Sequence, residues 1–498
     1  MTMSLRLAGT GRLSQRSVEP AQWLSEAKRL YGEGWWFEAE WGEGPPSNRV
    51  FALWGRRGEL ERLETSAVDG GYPSLTTLIP AADWFERALR DRTGLVPRGH
   101  IDPRPFLFHE SYPPGHVEGR PLSDSLEPQS PEFPFLRHEG VGVFEIPVGP
   151  IHAGIIEPGH FRFTTAGELI LDVELRLNYS HKGTLSLAKG KHPEHALRLL
   201  ERLSGDNAAA HACAFAAAVE AASGTPAPAE VEWMRTAMVE LERLYNHLGD
   251  LAGIATDVAF AAGAAHFQAL RERMLRWNQR LFGHRLMMNA VAVGAFHRAP
   301  TRGAWREFAA AVPKIRRDFL AARRVITQHS GLKERVEGTG HLAKVTAELL
   351  SCVGPTARAS GVLRDARVDA PCLGYSRLGV SPVTKDRGTV SSRMLVKVEE
   401  ADAVLGWMDK EFRELGLDAL PPPMETGATG EGVALVEASR GAVLSWVRLR
   451  DGIVADVYQR DPSFLNWRGL DESVFRNIVP DFPLINKSFN LSYSGSDA

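Results

Sequence analysis

The sequence predicts an α+β chain: a small N-terminal α+β domain, then a large domain that is mainly a helical bundle with flanking antiparallel β structure. Three observations carry this. Residues 20–110 combine a strand-type run with one well-bounded amphipathic helix. A stretch rich in Pro, Gly and Ser, SYPPGHVEGRPLSDSLEPQSPEFP (111–134), follows with the composition of an extended linker. Beyond it, helical periodicity persists from about 192 to 350, with alternating runs before and after. A chain of 498 residues is also too long for a single hydrophobic core. The expected units are therefore 1–110, a linker at 111–135, and 136–498.

In the first unit VFALWG (50–55) is a strand candidate, and PAADWFERALRDRTG (80–94) has helical spacing that stops at Gly94. The second unit opens on GVFEIPVGPIHAG and on HFRFTTAGELILDVELRLNYS (160–180), whose two alternating runs joined through AGE read as a hairpin. PEHALRLLERLSGDNAAAHACAFAAAVEAASG is rich in Ala, which lets neighbouring backbones approach closely. VEWMRTAMVELERLYNHLGDLAGIATDVAF starts after the proline-punctuated TPAPAE. FQALRERMLRWNQRLFG and WREFAAAVPKIRRDFLAARRVITQ add amphipathic helices, and together these make a bundle. Strand signals return at 430–465.

Composition narrows the function classes. Net charge is −3 and the sequence pI is near 6.6, which gives no overall electrostatic footprint for nucleic acid and no polybasic tract for anionic lipid. The three cysteines, Cys213, Cys352 and Cys372, form no CxxC pair. That usage points to a reducing compartment, no disulfide framework and no self-contained iron–sulfur cluster. No apolar run is long enough to cross a membrane, and the N-terminus lacks the apolar region of a signal peptide. Membrane association is therefore expected through partners. Walker, GxGxxG, HExxH and GxSxG motifs are missing.

Four clusters carry titratable groups. His152, Glu157 and His160 lie in GPIHAGIIEPGHFRF (149–163), a Gly/Pro-punctuated loop that either presents side chains to a cavity or is an exposed polar turn. Glu240, His247, Asp250 and Asp257, at spacings of 7, 3 and 7, share one helical stripe interrupted by Ile254. Such a stripe is either a solvated face or, given the apolar flank LAGIATDVAFAAGAA, a buried relay in which Asp257 needs a partner or a raised pKa. His211, in ERLSGDNAAAHACAF, reads on residues alone as a satisfied core histidine. The C-terminal PLINKSFNLSYSGSDA is either a frayed end or, with its apolar and aromatic content, a docked one.

At these clusters the chain resembles a known family. EIPVGPIHAGIIEPGHFRF, NYSHKG, ELERLYNHLGDL, FGHRLMM, RASG, VEASRGAVLSW and KSFNLSYSG are similar, in family order, to the large subunit of group 4 membrane-bound nickel–iron hydrogenases of the formate hydrogenlyase and hydrogenase-4 type. That subunit is homologous to the quinone-site D subunit of complex I. YPSLTTLIPAADWFERALRDRTGLVPRGHIDPRP (72–105) resembles the complex I C subunit fused ahead of it, so the resemblance covers roughly residues 40–498.

The resemblance implies a site and also departs from it. Hydrogenases of this family carry RxCGxC and a later CxxC, whose four thiolates bind nickel. Here Ser204 and Asn207 stand at the first two of those positions, and Asn490 and Tyr493 at the last two. Hydroxyl, carboxamide and phenol groups are poor replacements for soft thiolate anions, so no metal is expected. Glu157 and His160 match the segment whose glutamate passes protons to the metal site. Arg440 matches the arginine over the centre, with Ser439 in place of the usual proline. His152 matches a histidine of the loop lining the quinone cavity, Asp257 an aspartate used in proton coupling, and His211 a histidine kept after the first CxxC. His247 joins Asp257 in the expected relay. Gly205 replaces the tyrosine that bonds the quinone headgroup, and Thr389 replaces the aspartate of GDxxxR.

The implied function is the large subunit of a complex I-like membrane oxidoreductase, passing electrons to a quinone-like acceptor and coupling this to proton movement, without hydrogen turnover. The alternative is a non-catalytic structural or coupling subunit. The implied partners are a small iron–sulfur subunit of the complex I B type, a ferredoxin-like subunit, and membrane subunits of the H and antiporter types. Nucleic acid is not among them. This chain itself is expected to bind no cofactor, the iron–sulfur cluster lying in a partner and quinone being the substrate. The implied location is the cytoplasmic face of the cell membrane.

Overall fold

Two sheets meet face to face around a seam of tryptophans, and a helical bundle packs behind the second. The computed structural model describes residues 4–109, 117–118, 133–154, 156–417, 419, 421–425 and 427–497. Most of the expected linker at 111–135 lies outside the described residues.

The N-terminal sheet has the order Arg12–Ser17, Glu59–Ser66, Arg49–Arg56, Trp36–Glu43, with the expected 50–55 run inside its third strand. The helix Asp83–Thr93 covers one face through Phe85, whose ring meets Phe37 at 5.3 Å. It ends where the sequence stops it, at Gly94 in the left-handed conformation (φ 79°).

The second sheet is assembled from both ends of the chain. Leu5–Leu7 runs parallel to Gly430–Ala438, which pairs antiparallel with Gly441–Arg450 and then Ile453–Arg460. The first unit of the sequence thus contributes a strand to the second. Between the sheets, Trp41 stacks on Tyr458 at 5.2 Å and meets Trp446 at 5.6 Å. Buried ion pairs Arg62–Glu431, Arg448–Glu43 and Arg460–Glu38 cross the same seam.

The Ala-rich helix Ala208–Ser223 lies on the other face of Gly430–Ala438. A Cβ on Gly432 would stand 2.0 Å from the Ala218 carbonyl oxygen, so glycine and alanine together set this close approach. The bundle continues with a 29-residue central helix, Ala229–Asp257, then Ala261–Phe282 and Arg302–Gln328, as the periodicity predicts. A further bundle helix, Val390–Asp409, was missed by sequence reading. Its buried face carries Arg393, Lys397 and Glu400, and these charges break the apolar period that marks a helix.

The expected hairpin, His160–Ala166 and Leu169–Arg176, is joined by the edge strand Val143–Val148. Phe161 and Phe163 both pack on Phe482 at 4.8 Å, docking this sheet on the C-terminal helix Phe482–Phe489. The tail is docked as far as it is described: Asp497 is buried and accepts the backbone N–H groups of Asn178 and Ser180.

Candidate functional site

The long helices leave a cavity of about 490 Å³ where the central helix ends, closed by the 149–163 loop, the Gly205–Asn207 turn and the C-terminal tail. Glu157, Asp206, Asp257, Arg440, Lys487, Asn490 and Tyr493 are among its walls.

Arg440 follows the strand Gly430–Ala438 at its tight turn, so the sheet fixes its backbone. Its guanidinium is buried, donates to both carboxylate oxygens of Asp206 at 2.8 and 2.5 Å, and donates from Nε to the Asn490 carbonyl. Burial pushes the Asp206 carboxyl up, but the Arg440 charge and hydrogen bonds outweigh it and hold the group below its usual range.

Ser204, Asn207, Asn490 and Tyr493, the positions at which the resemblance implies thiolates, lie beside this pair or on the wall of the same cavity. Ser204 Oγ donates to Asp206 Oδ1 (3.1 Å) and lies 2.9 Å from the Ser492 hydroxyl, from which it can accept. Asn207 Oδ1 accepts from Ser439 Oγ at 2.8 Å, and its buried Nδ2 has no partner. Asn490, in the left-handed conformation (φ 51°), donates to Asp250 Oδ1 at 2.5 Å. The Tyr493 hydroxyl lies 3.4 Å from Asn486 Nδ2, and burial pushes its pKa up to about 12. This set of oxygen and nitrogen groups does not fit a nickel–iron centre, which needs soft anionic donors. Among the described residues, no three His, Cys, Asp or Glu side chains converge on a metal position.

The helical stripe is buried along most of its length. Glu240 bonds Arg243 and Tyr375. His247 Nε2 meets Glu400 at 2.8 Å, and burial lowers the imidazole pKa against the pull of that carboxylate. Asp250 pairs at 2.6 Å with Lys397, whose ammonium also donates to the Ser488 carbonyl at 2.7 Å. Asp257, on the last turn, is half-buried at the cavity wall, and its Oδ2 has no hydrogen-bond partner among the described residues. Burial raises its pKa, with Lys487 opposing. Ten residues separate it from His247, about 15 Å along the axis. The expected His247–Asp257 relay is therefore not a contact, and the Asp250–Lys397 pair lies between them.

The loop histidines brace their own loop. His152 Nε2 bonds the Gly159 carbonyl at 2.7 Å, and His160 Nδ1 bonds that of Gly149 at 3.3 Å. Neither is among the cavity walls, whereas Glu157 is, and it accepts the Ser494 N–H at 3.0 Å. Burial lowers the His160 pKa. His211 is fully buried between Asp461 (2.8 Å) and Gln459 (2.7 Å), the satisfied core histidine that residue reading gives. Sequence reading missed Asp206, Lys397 and Glu400. The last two were detectable only as charges interrupting an apolar helix.

Comparison with known proteins places these features in context. The family described as respiratory-chain NADH dehydrogenase, 49 Kd subunit, matches residues 257–415, and the 30 Kd subunit family matches residues 54–132. Formate hydrogenlyase subunit 5 of Escherichia coli K12 is 31% identical over 456 residues, 88% of this chain and 78% of that protein. Hydrogenase-4 component G of the same organism is 29% identical over 440 residues, 86% of this chain and 76% of that protein. A chain in the structure of the membrane-bound sulfane sulfur reductase, an archaeal respiratory membrane complex, shares the fold. The TM-score is 0.66 at 22% identity, over 72% of this chain and 99% of that one.

Proposed function

Because this chain belongs to the family that unites formate hydrogenlyase-type hydrogenase large subunits with the complex I 49 kDa subunit, we propose that it is the large subunit of a membrane-attached oxidoreductase complex. In this reading it passes electrons from a partner's iron–sulfur cluster to a quinone-like acceptor in the 490 Å³ cavity, couples this to proton movement, and does not turn over hydrogen. The observation that supports the reading is the Asp206–Arg440 pair, which with Ser204, Asn207 and Asn490 stands where the resemblance implies a metal site. The cavity beside it keeps an unpartnered carboxylate oxygen on Asp257.

Reduction of a quinone to a quinol consumes two electrons and two protons. The Tyr493 hydroxyl, protonated at neutral pH, can donate a hydrogen bond to an acceptor oxygen. Asp257, its pKa raised by burial, can hold a proton at the wall and release it. Glu157, on the loop side, is a second carboxyl at the cavity. The iron–sulfur subunit, the ferredoxin-like subunit and the H- and antiporter-type membrane subunits would hold the chain at the cytoplasmic face of the membrane. Among the described residues, no helix is long and apolar enough to cross it.

The test is the intact complex purified through this chain, assayed for nickel and then for reduction of a soluble quinone against hydrogen evolution. Inhibitor-sensitive quinone reduction without nickel is the expected result, and nickel with hydrogen turnover would sink the reading. A second reading, a non-catalytic coupling subunit, draws on the internal pairing of Asp206, Asp250 and Ser204. It predicts that Asp257→Asn leaves electron transfer unchanged in an assembled complex, whereas the catalytic reading predicts its loss.

A further inference from the structure

The near-zero balance of the whole chain conceals a strong local asymmetry. Residues 261–329 hold thirteen Lys and Arg against three Asp and Glu, a net charge of +10 in a chain of net −3. These residues form an antiparallel helix pair, Ala261–Phe282 and Arg302–Gln328, and the segment joining them, the helices meeting through Trp277–Phe308 at 5.5 Å and Phe267–Phe319 at 6.4 Å.

The carboxylates on this surface are already engaged, Glu307 by Arg280 and Glu414 by Arg306. Asp318 serves Arg273 and Lys314, Glu272 serves Arg276 and Arg285, and Asp402 of the neighbouring helix serves Arg316 and Arg323. Arg317 and Arg324 are exposed and have no ion-pair partner among the described residues. They belong to an exposed stripe, Arg306 (paired with Glu414), Ala310, Pro313, Arg317, Leu320 and Arg324, with successive spacings of 4, 3, 4, 3 and 4. That spacing keeps the stripe on one side of a 27-residue helix about 40 Å long.

We propose that this helix face is a docking surface for the acidic surface of a protein partner. Charge complementarity identifies the occupant: a cation excess that its own carboxylates do not neutralise, with guanidinium groups able to take carboxylates in paired hydrogen bonds. A bilayer fits less well. Leu320 and Val325 are the large apolar side chains exposed on the helix, while Trp305, Phe308 and Phe319 turn inward, leaving no interfacial aromatic anchor from this helix. Stacking on nucleic acid bases lacks its platform for the same reason. The inference rests only on that part of the proposed function which puts the chain in a multisubunit assembly.

The test uses the complex purified through this chain. Carbodiimide coupling joins Lys314 to any carboxylate in contact with it, and mass spectrometry identifies the joined peptide. The expected result is a link from Lys314 to an Asp or Glu of another subunit that sodium chloride releases. In R317E/R324E that same subunit should bind roughly tenfold more weakly at about 0.1 M salt. Lys344→Glu, elsewhere on the surface, should leave its binding unchanged. Both arginines are exposed and unpaired, and a circular dichroism spectrum matching wild type confirms that the variant folds. Three results would overturn the proposal. One is coupling only to Asp318 with every subunit retained by the variant. Another is a link between two copies of this chain. The third is unchanged subunit binding with lost binding to phosphatidylglycerol vesicles. Loss of quinone reduction with the acidic subunit still bound would point to the cavity and not to this face.

Discussion

Removing the Asp206–Arg440 pair should cost stability in a way that depends on both partners. Arg440 makes two hydrogen bonds to Asp206, at 2.8 and 2.5 Å, from a guanidinium that is buried. With charge centres about 4 Å apart and an effective dielectric of about 20, Coulomb's law gives about 4 kcal/mol. The Asp206 side chain is 33% exposed, and solvent screening at such a site reduces the coupling to about 2 kcal/mol. The assay is a double-mutant cycle of Asp206→Asn, Arg440→Met and the pair, by urea unfolding at pH 7. Each single variant should be destabilised, because each leaves a polar or charged group unmatched, and the double variant should recover the coupling. The carboxyl is held below its ordinary range, so its contribution is present above the unfolded value of about 4 and lost as pH falls through the lower folded value. The coupling should therefore vanish in acid. A coupling below about 0.5 kcal/mol at pH 7 would refute the reasoning, since it would mean that the pair is solvated and does not hold the cavity wall together.

Three further outcomes are expected. Glu400→Gln should destabilise the fold by about 3–5 kcal/mol, read as a lower urea midpoint, because Glu400 is buried against Arg358 (2.7 Å), Arg367 (3.2 Å) and His247 (2.8 Å). Glu242, buried and accepting the Ala209 and Ala210 N–H groups, has its pKa pushed up to about 8 by burial, so stability should fall as pH rises from its ordinary value through 8. Glu242→Gln should flatten that slope in a pH series of unfolding midpoints. All three thiols are buried, and burial pushes those of Cys352 and Cys372 up to about 12. The native chain should thus leave Ellman's reagent unreacted, while the denatured chain titrates three groups.

The elements legible in the sequence are those whose pattern is local. The helix 83–93 with its Gly94 stop, the hairpin, the Ala-rich helix and the last three strands each follow from a period of two or 3.6 and a turn residue. The candidate site was legible only in part, since His152, His160, Ser204, Asn207, His211 and His247 are not among the cavity walls. Glu157, Asp257, Arg440, Asn490 and Tyr493 do share one cavity, although they come from the loop, the central helix, the second sheet and the tail. Their partners could not be read, because Asp206 and Lys397 gain their meaning from residues 234 and 147 positions away.

The sequence by itself determined most of the elements, the family resemblance and the absence of cysteine at positions 204, 207, 490 and 493, since these depend on residue identity and short spacing. Only the tertiary structure decided that Leu5–Leu7 joins the C-terminal sheet, that the polar stripe of the central helix is buried, and that His152 and His160 brace a loop while Asp206 neutralises Arg440. Burial and pairing are properties of what the rest of the chain brings alongside a residue. A charge in a dry interior must find its opposite there, whatever the distance between them along the chain.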